Sequence, residues 1–165
     1  MIIWYNIIDL LQIFDRRFIM EYLVESHLGG YYVSNLDPEV ITAYCESCGD
    51  SDWILLSWEK GHMMETLIQY FSELKYSTEN IEKKRQAGIT KQEAIESALY
   101  EYSFKDKNII EALYEEKIIL EDEYKQLLKE NLQAQKNQIT LVCEVYPREV
   151  KKVLKKQKKK NKRCS

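Results

Sequence analysis

The spacing of hydrophobic and polar positions divides the chain into a short β-rich part and a longer helical part. Segments 21–26 and 31–34 are rich in β-branched and aromatic residues and flank Gly29-Gly30, a pattern typical of a β-hairpin because glycine adopts turn conformations freely. The apolar run 53–58 (WILLSW) indicates a third, buried strand. We therefore expect a small antiparallel β unit near the N-terminus.

Helical spacing dominates the remainder of the chain. Asp37-Pro38 has the residue types of a helix start and predicts a short helix to about residue 44. Further helices are predicted over 63–74, from Ser77 or Thr78 to near Gly88, from the Thr90–Glu93 capping box to 102, and over 108–116 and 121–137. The segment 139–146 (ITLVCEVY) alternates and indicates a last strand, with Cys143 in the core. The fold class expected is α+β, with a mainly α-helical remainder.

The first nineteen residues (MIIWYNIIDLLQIFDRRFI) fit no targeting segment well. Asp9 and Asp15 interrupt the apolar run that a membrane span needs, and the basic residues follow the run instead of preceding it as in a secretory signal. The segment can be an amphipathic helix. Alternatively, Arg16-Arg17 is the translation of AGG-AGG, the usual bacterial ribosome-binding sequence, which lies upstream of a coding region. The native start is then Met20. We adopt the second interpretation, which makes residues 1–19 an upstream extension and 20–149 a single domain.

Composition and charge favour a folded, acidic domain with a basic tail. Hydrophobic residues make up 45% of the 165, with 12 tyrosines and 3 tryptophans, which is unlike a disordered chain. Residues 1–150 hold all 27 acidic side chains, whereas the tail 150–165 holds nine basic ones. These are Lys151, Lys152, Lys155, Lys156, Lys158, Lys159, Lys160, Lys162 and Arg163. The tail can bind nucleic acid nonspecifically, bind an acidic protein surface, or remain solvated.

The motif richest in chemistry is Cys45-Glu46-Ser47-Cys48-Gly49. Two cysteines two residues apart, followed by glycine, form half of a zinc knuckle, because the turn brings both sulfurs to one side. The only two histidines, His27 and His62, flank the pair in sequence. Thiolates with neutral imidazoles suit zinc, so we expect a site of Cys45, Cys48, His27 and His62.

Other interpretations of the same region stay open. Both cysteines can be ordinary reduced thiols in a cytoplasmic protein, or a redox dithiol. Asp50, Asp52 and Glu59 can form a carboxylate site, although Asp-Ser-Asp is more often a turn that satisfies its own amides. The sequence contains no phosphate-binding loop, nucleophile elbow or His-Glu-x-x-His motif, so catalysis has no positive support.

Two resemblances add context. His27-Leu28-Gly29-Gly30-Tyr31-Tyr32, taken together with the run from Tyr44 to Trp53 (YCESCGDSDW), resembles small uncharacterised proteins of clostridia and their prophages. That resemblance implies a mobile-element setting and no particular activity. Segment 109–131 resembles the two-helix short C-terminal modules of bacterial proteins, with Lys117 where those modules carry glycine. Such modules are associated with oligomerisation or interaction; the alternative is an ordinary helical hairpin whose apolar side chains join the core.

The function expected from these features is a non-enzymatic interaction protein. It would act as an inhibitor or adaptor of a phage or mobile element, in the bacterial cytoplasm, with a protein partner and a structural zinc ion. The alternative is a nucleic-acid-associated regulator that uses the lysine-rich tail. A third possibility is a metal-dependent enzyme built around Cys45 and Cys48. No membrane partner is expected.

Overall fold

The computed structural model describes residues 19–146 together with Lys159 and Lys162. In order along the chain, the elements are β1 (Met20–Glu25), β2 (Tyr31–Ser34), α1 (Pro38–Ile41), β3 (Trp53–Glu59), α2 (Met63–Ser72), α3 (Thr78–Gln86), α4 (Lys91–Leu99), a π-helical segment (Tyr100–Asp106), α5 (Lys107–Glu115) and α6 (Glu121–Val145). The α+β expectation is therefore confirmed. The proposed extension 1–19 lies outside the described residues apart from Ile19, and the basic tail does so apart from two lysines.

The described residues form two compact units, 19–70 with 109–127, and 71–108 with 128–146. The first unit contains the three-stranded antiparallel sheet in the order β2-β1-β3. Its central strand carries Leu23 and Val24, both fully buried, with a β-bulge between them in the pairing with β3. The other buried apolar residues of this unit are Ile41, Trp58, Leu67, Ile110, Leu113, Ile119 and Leu127.

Strand pairing determines which loops meet at one end of the sheet. β1 and β2 pair as a hairpin, and its turn is closed by Ser26 N–H donating to the carbonyl oxygen of Gly30 at 2.9 Å. At the same end, Glu25, the last residue of β1, pairs with Trp53, the first residue of β3. Because antiparallel strands run in opposite directions, the residues just after β1 and those just before β3 lie side by side. This places the 26–30 turn beside the loop that carries the cysteines.

The α5–α6 hairpin of the first unit turns at Lys117. This residue has φ of +60°, the left-handed conformation that glycine favours. Glu123 caps the next helix by accepting from Leu120 N–H at 2.8 Å. Tyr114 and Tyr124 stack at 4.6 Å between ring centroids.

The second unit has its own core and a polar attachment. Ile81, Ala94, Val142 and Tyr146 form a buried cluster. Gln138, fully buried on α6, binds both backbone groups of Tyr76: its amide oxygen accepts from the N–H at 2.9 Å, and its amide nitrogen donates to the carbonyl at 3.0 Å. One side chain thereby satisfies a donor and an acceptor that burial would otherwise leave without partners.

A π-helical segment joins α4 to α5 where the sequence indicated a break near residue 102. The helix continues from Lys91 to Glu115 because the wider turn accommodates Tyr102 and Asp106 as buried residues. Asn131 donates to the carbonyl oxygen of Tyr102 at 2.8 Å, and Lys75 forms an ion pair with Asp106 at 2.9 Å. Burial is the main influence on the pKa of Asp106 and raises it.

The last strand expected from the sequence is wrong. Residues 139–145 continue α6, which extends from Glu121 to Val145. The apolar alternation in ITLVCEVY indicated period two, but Gln138, Val142 and Tyr146 are buried at a spacing of four, as on one helix face. Cys143 is exposed for the same reason, so its expected place in the core is also wrong.

Candidate metal centre

The cysteine pair occupies a tight loop between α1 and β3. Cys45 and Asp50 form an isolated bridge in which Cys45 N–H donates to the carbonyl oxygen of Asp50 at 2.9 Å. The Cys45 carbonyl accepts from the N–H groups of Cys48 and Gly49, at 3.3 and 2.9 Å. Gly49 has φ of +72°, which a side chain with a Cβ rarely adopts. The loop thus forms the knuckle that the sequence pattern indicates.

His27 joins the two cysteines. Ligand atoms of His27, Cys45 and Cys48 all lie within 4.8 Å of one another. A tetrahedral zinc ion with Zn–S of about 2.3 Å and Zn–N of about 2.0 Å holds its ligands roughly 3.5–3.8 Å apart, so this group can hold a metal ion after small side-chain movements. The structure therefore brings together three of the four residues that the sequence suggested as ligands.

His62 lies elsewhere in the first unit. Its Nδ1 is 3.0 Å from Oε2 of Glu65, one helical turn along, and it is not part of the group formed by the other three residues. Both side chains of that pair are more than half exposed. A histidine followed three residues later by a carboxylate at the start of α2 is a local surface pair.

Asp52 holds His27 in place through two contacts. Its Oδ1 accepts from the His27 backbone N–H at 3.0 Å and also contacts Nδ1 of the ring. The ring contact occupies Nδ1, so Nε2 is the nitrogen available to a metal ion. A carboxylate behind a histidine ligand is the usual outer-shell partner of zinc sites, because it fixes the ring orientation and increases the basicity of the ligand.

A third residue, Tyr32, completes this arrangement by donating from its hydroxyl to Oδ2 of Asp52. That hydrogen bond is the largest influence holding the pKa of Asp52 at about 2, with the His27 backbone amide and ring next. Partial burial and the Asp52 contact raise the pKa of Tyr32 to about 12. Hydrogen bonding to Asp52 raises the pKa of His27 above its usual value. The carboxylate is therefore charged at neutral pH.

The two thiols differ in their readiness to bind a metal. Hydrogen bonds from the Cys48 side chain and from Ser47, whose Oγ is 3.1 Å from Cys45 Sγ, lower the pKa of Cys45 to about 6. The same interaction raises the pKa of Cys48, because the proton shared between two sulfurs stays on one of them. One thiol of the pair thus loses its proton more readily than an ordinary cysteine, and the thiolate is the form that coordinates metal ions.

The sequence offered Asp52 only as a member of a carboxylate site and did not indicate its contacts with His27 and Tyr32. Asp-Ser-Asp suggested a turn that satisfies its own amides, and Asp50 does accept from Ser51 N–H at 3.0 Å. Asp52 instead contacts a residue 25 positions earlier. The signal that could have found it is the strand pairing, since Asp52 precedes β3 where His27 follows β1.

Three large, exposed apolar residues are next in sequence to the metal-binding group or to Asp52. Leu28, next to His27, is 83% exposed; Tyr44, next to Cys45, is 68% exposed; and Trp53, next to Asp52, is 66% exposed. The Tyr44 hydroxyl lies 3.4 Å from where a Cβ on Gly49 would be. Exposure of three large apolar residues beside one site is typical of an interaction surface.

Comparison with protein-family models finds no match, and comparisons with curated proteins and with solved structures find no significant similarity. Among the described residues, no helix combines the length and the apolar character that a membrane span requires. The basic tail falls largely outside the described part of the chain, and nucleic-acid binding through it stays a prediction.

Proposed function

We propose that this protein is a zinc-dependent interaction module in which zinc fixes an apolar binding surface. The observation that carries the proposal is the convergence of His27, Cys45 and Cys48, with His27 already oriented by Asp52. Two thiolates and an imidazole favour zinc over magnesium or calcium, which prefer oxygen ligands. A reducing compartment such as the bacterial cytoplasm keeps these thiols available.

Zinc would act structurally by adding a direct link between two turns that the contacts of Asp52 with His27 already join. One turn carries His27 and the other carries the cysteine pair, and each also carries an exposed apolar residue, Leu28 or Tyr44. A metal ion bound by both turns fixes the relative positions of these apolar side chains. Such rigidity lowers the entropy lost when a partner binds, so partner affinity depends on the metal.

The biological role that we infer is an inhibitor or adaptor that binds one protein, in keeping with a phage or mobile element. What supports this role is the exposed apolar surface beside a non-oxygen metal site, in a chain without a recognisable catalytic motif. The partner would contact Trp53 and Tyr44, since aromatic residues contribute most of the binding energy in such interfaces.

Metal content provides the first test. Native mass spectrometry of the full chain should show one zinc ion, and Cys45→Ser should lose both the ion and part of the thermal stability. Cys143→Ser is the matched control, because Cys143 is an exposed cysteine on α6, and it should keep the ion. A wild-type chain that contains no metal after zinc reconstitution would overturn the proposal.

Partner binding provides the second test. In affinity capture, the zinc-loaded wild-type protein should retain one partner protein in stoichiometric amount. Both the Trp53→Ala substitution and chelation of the zinc should abolish this retention. Leu132→Ala is the control, because Leu132 is half exposed on α6 and belongs to the second unit. Equal loss with both variants, or retention with Trp53→Ala, would contradict a surface centred on the metal site.

A further inference from the structure

The metal-binding group supplies three ligands, whereas zinc in proteins is almost always four-coordinate. Sites closed by four protein ligands are structural, and sites with three protein ligands keep a position for water or another ligand. The identity of the fourth ligand therefore decides how this centre works. The following inference rests on the proposed zinc site.

No further described His, Cys, Asp or Glu has a ligand atom within 4.8 Å of all three ligands, so the described residues do not close the site as it stands. Both carboxylate oxygens of Asp52 are bound, one by His27 and the other by Tyr32. Oδ1 of Asp50 accepts from Ser51 N–H, and Nδ1 of His62 pairs with Glu65. Asp52 would have to give up one of these contacts to bind the ion, whereas Oδ2 of Asp50 and Nε2 of His62 would have to move toward a ligand group to which neither residue belongs.

The centre is also open to solvent. Cys48 is exposed and Cys45 is partly exposed, so one side of the ligand group faces outward. Leu28, Tyr44 and Trp53 are the exposed apolar residues next in sequence to the metal-binding group and Asp52. A ligand carried by another protein can reach the ion from this side while its apolar neighbours contact these three residues.

Charge selects the kind of ligand. Two thiolates neutralise a zinc ion, and the acidic residues Asp50 and Asp52 follow Cys48 closely in the same loop. Asp52 also contacts the ring of His27, so a carboxylate stands next to the ligand group. An anionic fourth ligand would add charge to a region that is already negative, whereas a neutral nitrogen ligand would not.

We propose that the zinc ion keeps an exchangeable fourth position, occupied by water in the free protein and by the imidazole of a histidine from the bound partner. The partner is thus a protein segment that carries a histidine among apolar residues. Metal coordination then adds to the apolar contacts at the same surface, and it explains why the metal group and the exposed aromatic residues occur together.

Cobalt substitution tests the position directly, with imidazole as the probe. The full chain loaded with Co²⁺ should show thiolate-to-cobalt absorption and the visible bands of a tetrahedral site. Added imidazole should shift the visible bands saturably while the thiolate band persists, which shows that cobalt stays bound. Azide, an anion that also coordinates through nitrogen, should bind at least tenfold more weakly because the site is negative.

The outcomes distinguish a failure of this inference from a failure of the proposed zinc site. Failure to bind cobalt or zinc overturns both. Bound cobalt with visible bands insensitive to imidazole overturns only the exchangeable position. Azide binding as tightly as imidazole overturns the preference for a neutral ligand. The remaining candidate ligands are His62 and Cys164, a tail cysteine that lies outside the described residues. Cys164→Ser and His62→Asn should respond to imidazole like the wild type, and a response found only in one of these variants would mean that the chain closes its own site.

Discussion

At the scale of single residues, the site depends on how Asp52 holds His27. The carboxylate accepts from the His27 backbone and contacts its ring, while Tyr32 donates to the second oxygen. These contacts orient the imidazole before any metal arrives. Pre-orientation reduces the entropy that the histidine loses on binding, and removal of such a partner commonly lowers metal affinity.

Asp52→Asn should lower zinc affinity by about 10- to 100-fold, because the neutral amide loses the charge beside the His27 ring and has an NH₂ group in place of the oxygen that accepts from Tyr32. Competition with a chromophoric chelator measures the affinity. Asp50→Asn is the matched control, since that side chain only accepts from Ser51 N–H. Equal zinc affinity in the two variants would show that Asp52 does not support metal binding by orienting His27.

Zinc affinity should depend on pH in steps that the three ligands determine. Well above neutral pH, zinc binding should displace about one proton, from Cys48, because the pKa of Cys48 is raised. Below about pH 6, zinc binding should displace about three protons, because His27 and Cys45 also carry protons there. Affinity therefore falls as pH falls, and more steeply below the Cys45 pKa of about 6. A constant slope of log affinity against pH from 5 to about 9 would contradict this order of pKa values.

At the scale of elements, the sequence predicted local structure well where local signals determine it. The Thr90 capping box is present, with Glu93 N–H donating to Thr90 Oγ1 and the Glu93 carboxylate accepting from Thr90 N–H. Diglycine predicted the hairpin, and both glycines have positive φ. The strand expected at 139–146 failed because burial of Val142 on a helix face overrides β-propensity.

The hairpin turn offers a paired glycine test. Gly29 and Gly30 both have positive φ, but only at Gly30 would a new Cβ meet Oε1 of Glu116, at 2.5 Å. Glu116 also accepts from Tyr31 N–H at 2.7 Å, so Gly30→Ala should disturb this contact as well as strain the backbone. We expect Gly29→Ala to lower the free energy of unfolding by about 1 kcal/mol and Gly30→Ala by about 2.

Urea denaturation measures both variants, and Glu116→Ala provides the background that separates the two causes. Without the Glu116 carboxylate, the two glycine substitutions should cost the same, since only the positive φ remains to be strained. A larger cost at Gly30 that persists in this background would mean that Glu116 is not its cause.

The attachment of α6 within the second unit depends on Gln138. Gln138→Leu keeps a similar volume but removes both hydrogen bonds to the Tyr76 backbone, and should lower the free energy of unfolding by about 2–4 kcal/mol. Gln133→Leu, an exposed substitution on the same helix that removes a bond to Asn137, should change it by less than about 0.5 kcal/mol. If both substitutions change the free energy of unfolding by equally small amounts, water replaces the Gln138 side chain as the hydrogen-bond partner of Tyr76.

At the scale of the whole molecule, the sequence could suggest the metal site but not its composition. Only Glu46 and Ser47 separate Cys45 from Cys48, so the motif itself indicates that pair. His27 and His62 flank the cysteines at similar distances along the chain, and spacing alone does not distinguish them. The pairing of Glu25 with Trp53 brings His27 to the cysteine loop. No local sequence pattern specifies such a long-range strand register.

The two units should respond differently to metal removal. In the proposed function, zinc would connect two turns of the first unit. The second unit has its own buried cluster of Ile81, Ala94, Val142 and Tyr146, and none of its described residues belongs to the metal-binding group. Chelation should therefore speed amide hydrogen exchange in segment 26–53 and leave exchange at the amides of α3 and α4 unchanged. Mass spectrometry of peptides from exchanged protein resolves these segments.

Cys45→Ser gives the control for that measurement, because chelator should have no further effect on a chain that has already lost its metal. If chelation speeds exchange equally in both units, the metal stabilises the molecule globally and the two cores unfold as one cooperative system. If exchange changes in neither, the turns around His27 and Cys45 keep their structure without zinc. Partner binding through the exposed aromatic residues would then no longer require the ion, and the affinity of wild type for its partner should survive chelation.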